Sequence, residues 1–253
     1  MTEVEAPHST LPAVRTVGAG APFAWLAAGW RDFREHPLPS MFYGTCFALM
    51  GFLIVIVFRH AYQYVSALVT GFFLVGPFFA IGLYALSRRR EQGEPPWLAP
   101  TLDAWGPNKS AIGLFALVLA VILLVWARAS LIVFALFFTQ DIPTVEDFTA
   151  RIFALENLEF LLAYLAVGGF FAVLVFAISV VSVPMMLDRN IDGIVAVLTS
   201  LKAFSANVPA MVVWGLAIVV LVGLGFATWF VGLVVAVPVI GHATWHAYRA
   251  LIE

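Results

Sequence analysis

The sequence predicts an all-α polytopic membrane protein, and three observations carry that prediction. Of its 253 residues, 62% are hydrophobic and 11% charged, far from the roughly half apolar and quarter charged of soluble domains; mean hydropathy is +0.99. Apolar blocks long enough to cross a bilayer recur along the chain. A short amphipathic stretch precedes them three times, as WRDFREH (Trp30 to His36), LDAWGPN (Leu102 to Asn108) and LKAFSAN (Leu201 to Asn207). In each copy a large apolar residue is followed by a charge, then by an aromatic three positions after the first and Asn or His three further on. The pattern predicts six transmembrane helices as three helical hairpins in pseudo-threefold repetition, each entered through a short cytoplasmic interfacial helix.

Residues 1–20 hold Glu3 and Glu5 and lack the apolar core of a signal peptide, so a mobile cytoplasmic tail is expected there and a single six-helix domain over 21–253. Phe23, Leu26, Ala27, Trp30 and Phe33 recur at helical spacing, with Arg31, Asp32, Arg34 and Glu35 on other faces. That describes a helix lying on the membrane surface. A span needs about 20 apolar residues, which 40–58 and 64–86 supply. The blocks 111–138 and 158–186 are longer and imply tilt. Between them the loop from Thr139 to Asn157 carries Asp141, Glu146, Asp147 and Glu156 and is expected to be acidic and exposed. Residues 192–207 repeat the surface-helix pattern with Ile194, Val197, Leu198, Leu201 and Phe204. A single helix over 208–248 would be about 60 Å long at ~1.5 Å per residue, twice a bilayer core. It must therefore fold back near Gly223, Gly225 and Thr228, giving spans 208–224 and 228–248.

Cytoplasmic loops are enriched in Lys and Arg. With both termini inside, Arg15, Arg31, Arg34, Arg88, Arg89, Arg90, Lys109, Arg189, Lys202 and Arg249 fall on the cytoplasmic side, and only Arg59 and Arg151 opposite. Trp97, Trp105, Trp245 and Tyr248 then stand near inner ends, where headgroups favour them. A net charge of -2 argues against a nucleic-acid surface. The lone Cys46 supplies neither a disulfide nor a thiolate zinc cluster.

His242 and His246 in GHATWHAYR are the strongest chemical pair, because i and i+4 share a helical face and can jointly hold haem or copper. Arg128 is the one formal charge well inside an apolar run, expected to snorkel outward or to pair with Glu156 or Glu159. Pro77, Pro184 and Pro238 each fall late in an apolar block, where a kink can free carbonyls around a substrate site or simply serve packing. Arg88, Arg89 and Arg90, with Trp30 and Trp105, are candidates for contact with anionic lipid headgroups or a partner. No GxSxG, Walker, HExxH, CxxC or GxGxxG pattern is present, so no catalytic residue is assigned.

The segments GPFFAIGLYALSRRREQGEP, VPMMLDRNIDGIVAVLTSLKAFSANVPAM and VPVIGHATWHAYRAL resemble an uncharacterised bacterial integral-membrane family, a domain of unknown function some of whose members are labelled cytochrome c oxidase subunits. The resemblance runs from about Trp25 onward and implies a bacterial inner-membrane protein with no activity to transfer. A catalytic haem-copper subunit would need a larger set of histidines within its helices than His242 and His246. The sequence therefore points to an accessory or assembly subunit of a larger membrane complex, which the resemblance implies is of respiratory type, in contact with membrane lipids and other subunits. Its alternatives are a small-molecule or lipid transporter built around the prolines, and a haem or copper handling protein using His242 and His246.

Overall fold

A computed structural model describes residues 11–60, 79–138 and 157–253. Secondary structure among them is helical, apart from one antiparallel bridge between Val14 and Ile252. In chain order the helices are α1 (Ala21–Glu35), α2 (Pro37–His60), α3 (residues 79–91), α4 (Ala99–Leu102), α5 (Lys109–Phe137), α6 (Leu158–Ser179), α7 (Ser182–Asp188), α8 (Gly193–Ala206), α9 (Val208–Ala227) and α10 (Leu233–Leu251). A 3-10 turn, Gly106–Asn108, leads into α5.

Four stretches among the described residues are long and apolar enough to cross a membrane: Pro37–Phe58, Ala99–Phe137, Leu158–Asp188 and Val208–Ala227. They match the predicted first, third, fourth and fifth spans, whereas six were expected in a hairpin repeat. Most of the predicted second span, with Pro77, and nearly all of the acidic loop lie outside the described residues. The predicted sixth span is α10, and its polar content explains why it does not stand with the four. Thr244, His246 and Arg249 join His242 on a helix of which eleven of nineteen residues are buried in protein.

α10 packs against α1 and α2 and against α3, and glycines set those crossings. A Cβ on Gly29 of α1 would lie 2.6 Å from the Ala243 nitrogen and 2.7 Å from the Val239 oxygen, and one on Gly241 would meet Leu83 of α3 at 2.6 Å. Gly44 of α2 sits against the Val234 backbone. Pro238 cannot donate to the carbonyl four residues earlier, which belongs to Val234, and this carbonyl faces Gly44, an α2 position without a side chain. Small residues are the usual device for close helix approach in an apolar medium.

The two long predicted surface helices also carry a buried inner stripe. The buried stripe of α1 is Pro22, Trp25, Gly29, Asp32 and Phe33, while Phe23 and Trp30 are exposed. α1 therefore leans on α10 with Asp32 inward, rather than presenting Asp32 outward as a polar surface residue. In α8 the buried residues are Gly193, Ala196, Thr199, Ser200 and Ala203, and the bulky Ile194, Leu198 and Leu201 face out. Small and hydroxyl side chains pack inward, and large apolar ones face away, as suits a helix beside lipid.

The predicted 158–186 span is two helices. After α6 ends, Ser200 fills the break: its Oγ donates to the Ala177 carbonyl (2.7 Å) and accepts from the Val181 amide (3.2 Å). Pro184 then falls in the first turn of α7, where a missing N–H costs nothing. The predicted fold-back is a turn over 228–232. Thr228 Oγ1 accepts from the Gly232 amide (2.9 Å), and Trp229 and Phe230 take positive φ. Phe230 is held there against Phe52 (5.5 Å) and Phe226 (5.6 Å).

The second half of the predicted mobile tail is pinned. The Arg15 amide donates to the Leu251 carbonyl (2.8 Å) and the Glu253 amide to the Ala13 carbonyl (3.2 Å). Asn207, the last residue of the third amphipathic copy, accepts from the Val17 amide (2.7 Å) and donates to the Arg15 carbonyl (3.0 Å). Asn108, its counterpart in the second copy, donates to the Met186 and Ile191 carbonyls (3.1 and 3.0 Å). The recurring Asn thus staples a helix start to a neighbouring backbone, a structural use of the repeat.

Candidate functional site

The polar groups converge on one end of α10. His242, 1% exposed, is engaged at both ring nitrogens: Ser87 Oγ of α3 lies 2.7 Å from Nδ1 and Ser40 Oγ of α2 lies 2.9 Å from Nε2. Ser87 Oγ donates to Asp32 Oδ2 of α1 (2.7 Å), and His246 Nε2 is 2.9 Å from the same oxygen. Arg90 Nη1 pairs with Asp32 Oδ1 at 3.0 Å, and Arg90 Nη2 donates to Glu35 Oε1 at 2.7 Å. Four helices therefore meet through one buried carboxylate and one buried imidazole. The i, i+4 spacing does place both histidines on one face of α10, yet each faces a different partner.

Counting protons defines what the cluster can hold. Ser87 has one hydroxyl proton and gives it to Asp32, so His242 must donate from Nδ1 to Ser87. Ser40 also has one proton, with two acceptors in reach: the His36 carbonyl (2.8 Å) and His242 Nε2. With neutral His242, that proton turns to Nε2; with protonated His242, it turns to the His36 carbonyl and Nε2–H donates to Ser40. A single hydroxyl rotation accommodates either state. Ser40 is fully enclosed, so its contact with His242 has no face open to a substrate.

Burial opposes the charge on Asp32, but hydrogen bonds from His246 and Ser87 and the charges of the histidines outweigh it and hold the carboxyl below its ordinary value. Glu35 is also held low, chiefly by its hydrogen bond from Arg90. A second layer of charge adjoins the first. Asp188 of α7 accepts from Tyr248 (2.7 Å) and pairs with Arg88 (3.3 Å) and Arg249 (3.6 Å). Glu91 accepts from Trp245 Nε1 and Arg249 Nε, both at 3.3 Å.

The other sequence candidates fall as follows. Arg88, Arg89 and Arg90 are committed within the chain, to Asp188, to Glu94 (2.8 Å) and to Asp32 with Glu35. Trp30 is 46% and Trp105 36% exposed, and Trp30 stacks on Phe33 at 5.5 Å. Arg128 is exposed and makes no ion pair with Glu159 or any other described carboxylate; Glu156 lies outside the described residues. Among the described residues no three His, Cys, Asp or Glu are grouped to hold a metal. Haem or copper fits poorly at His242, since ligation would displace Ser87 or Ser40 from a nitrogen already bonded. Sequence reasoning missed Asp32, Ser40 and Ser87. Two signals were available: Gly29 one helical turn before Asp32, marking a close-packed face, and Ser87 bordering the arginine run.

A family model described as a predicted integral membrane protein, DUF2189, matches residues 65–188. Over that stretch the chain is similar to this family. The family segment runs from before α3 through Asp188 and supplies Ser87, Arg88 and Arg90, while Asp32, Ser40, His242 and His246 come from helices on either side of it. The cluster thus sews the family segment to its flanks. No curated protein and no solved structure matches the chain.

Proposed function

We propose that this chain is a non-catalytic subunit that assembles with other proteins of the bacterial inner membrane, both ends and the polar cluster lying on the cytoplasmic side. The observation that carries the reading is the α5–α6 pair. Only 11% of the most apolar stretch of each span is buried within the chain, against 22% for the spans containing α2 and α9. The two helices hold each other at their far end through Phe134, Phe137 and Phe138 around Phe160, with ring centroids 5.1 to 6.2 Å apart. Elsewhere Leu117, Leu124, Leu136, Leu162 and Leu165 are all exposed, and Gly113 has open space where a Cβ would stand. Such a hairpin offers a close-approach face that the described residues leave uncovered. A respiratory oxidase is the complex that the family resemblance suggests. The transport alternative draws no support from Pro184 and Pro238, which are buried in packed side chains.

The test is photo-crosslinking in native membranes from residues 117, 124 and 162, followed by mild detergent extraction. Discrete adducts with another membrane protein are expected. A chain that extracts as a monomer with no protein adduct from any of the three positions overturns the reading.

A further inference from the structure

Between α6 and α8 runs an open groove of about 820 Å³, lined on α6 by Gly169, Phe170 and Val173 and on α8 by Leu201 and Phe204, with Lys202 and Ser205 at its rim. Its walls are almost wholly apolar. On α6 it extends from Ala166 to Ala177, about 16 Å at ~1.5 Å per residue, or half of a hydrocarbon core about 30 Å thick. A partner helix crossing the bilayer would need a seam of twice that length. A lipid acyl chain occupies one leaflet. The α8 end lies beside the α6–α7 break, because Ser200 bonds Ala177 there and Phe204 packs on Phe176 at 6.0 Å.

The charge at the rim completes the match. Lys202 is exposed and forms no ion pair among the described residues, in contrast to Arg88, Arg89 and Arg90. The Ser205 hydroxyl donates back to the Lys202 carbonyl (3.1 Å), so the ammonium is the group able to meet an anion. We infer that this groove binds one phospholipid with an anionic headgroup, its phosphate on Lys202 and one acyl chain laid along Gly169, Phe170 and Val173. Occupancy would complete the packing between α6 and α8 with lipid rather than with protein. The inference stands apart from the assembly proposal, since it concerns a half-bilayer groove and a defined lipid.

The experiment is native mass spectrometry of the purified full chain in detergent, titrated with phosphatidylglycerol and, separately, with phosphatidylcholine. One saturable phosphatidylglycerol adduct is expected, weakened about fivefold by Lys202→Ala and abolished by Gly169→Leu, which fills the groove. Thermal unfolding of each variant checks its fold; if Gly169→Leu unfolds, Val173→Trp takes its place. Equal binding of the two lipids overturns the headgroup assignment. Loss with Lys202→Ala but not with a folded groove-filling variant reduces the site to surface adsorption and overturns the groove. A tightly retained protein in place of lipid overturns the proposal outright, whereas a lipid-only result leaves the crosslinking test to decide the assembly reading.

Discussion

Eleven of the nineteen residues of α10 are buried, and its polar groups are matched one by one: His242 to Ser40 and Ser87, His246 to Asp32, Tyr248 to Asp188. On α5 only Ala111, Ile112, Phe115 and Val133 are buried among twenty-nine residues, and at its far end it meets α6 through edge-to-face aromatic contacts. Directional bonds fix a unique register for α10, because a buried donor left unpaired costs more than the bond itself is worth. Apolar contact on α5 carries no such penalty, since lipid and side chain are equally acceptable neighbours. The specificity of the fold is therefore concentrated in α1, α2, α3 and α10, and the α5–α6 pair remains adaptable.

The most severe break in that contrast is Asp32→Leu, which strands Ser87, His246 and Arg90 around an apolar side chain. A loss of about 3 kcal/mol or more is expected, read as thermal or denaturant unfolding in mild detergent. Leu124→Ala on α5, where the side chain is exposed, should stay within about 0.5 kcal/mol. Comparable losses in the two would dissolve the distinction.

Gly44→Leu comes next. The new side chain has to enter the Val234 backbone, and a cost of about 1–3 kcal/mol is expected, with no counterpart in Gly113→Leu on α5, where space is open. Acidification sharpens the contrast further. Asp32 is held below its unfolded value, so its contribution is complete above about pH 4 and disappears as pH falls through the lower folded value. Asp32→Asn should flatten that acid limb of stability; an unchanged limb would place its origin elsewhere. The smallest effect belongs to Glu35→Gln at the half-exposed edge of the cluster, about 0.5 kcal/mol or less and weakened by salt.

What the sequence made legible follows from the same division. Spans α2, α5 and α9 are long apolar blocks, and composition alone locates them. The chain's fold-back was also readable, although the turn uses Thr228 with Trp229 and Phe230 rather than the glycines before it. The surface-helix pattern at α1 and α8 left their inner faces unread: Ile194 and Leu198 face outward, while Ala196, Thr199 and Ser200 pack inside. Asp32 was hidden for a related reason: it stands in a run of charges, and its partners lie 55 and 214 positions away. The i, i+4 histidine pair was visible in the sequence, but that one faces two serines and the other a carboxylate was not.

The position of α10 also constrains how the protein is made. Ribosomes deliver helices in order, and α10 follows all the other described ones. Until it emerges, Ser40 and Ser87 wait without His242, Asp32 lacks His246, and the cleft opposite Gly29 and Gly44 has no occupant. The earliest helices to be synthesised are thus among the last to mature, dependent during translation on water or an insertion factor to shelter their polar groups. Nascent chains arrested before Leu233 should accordingly be cut readily by protease near α1, and release of α10 should confer protection there in a single step.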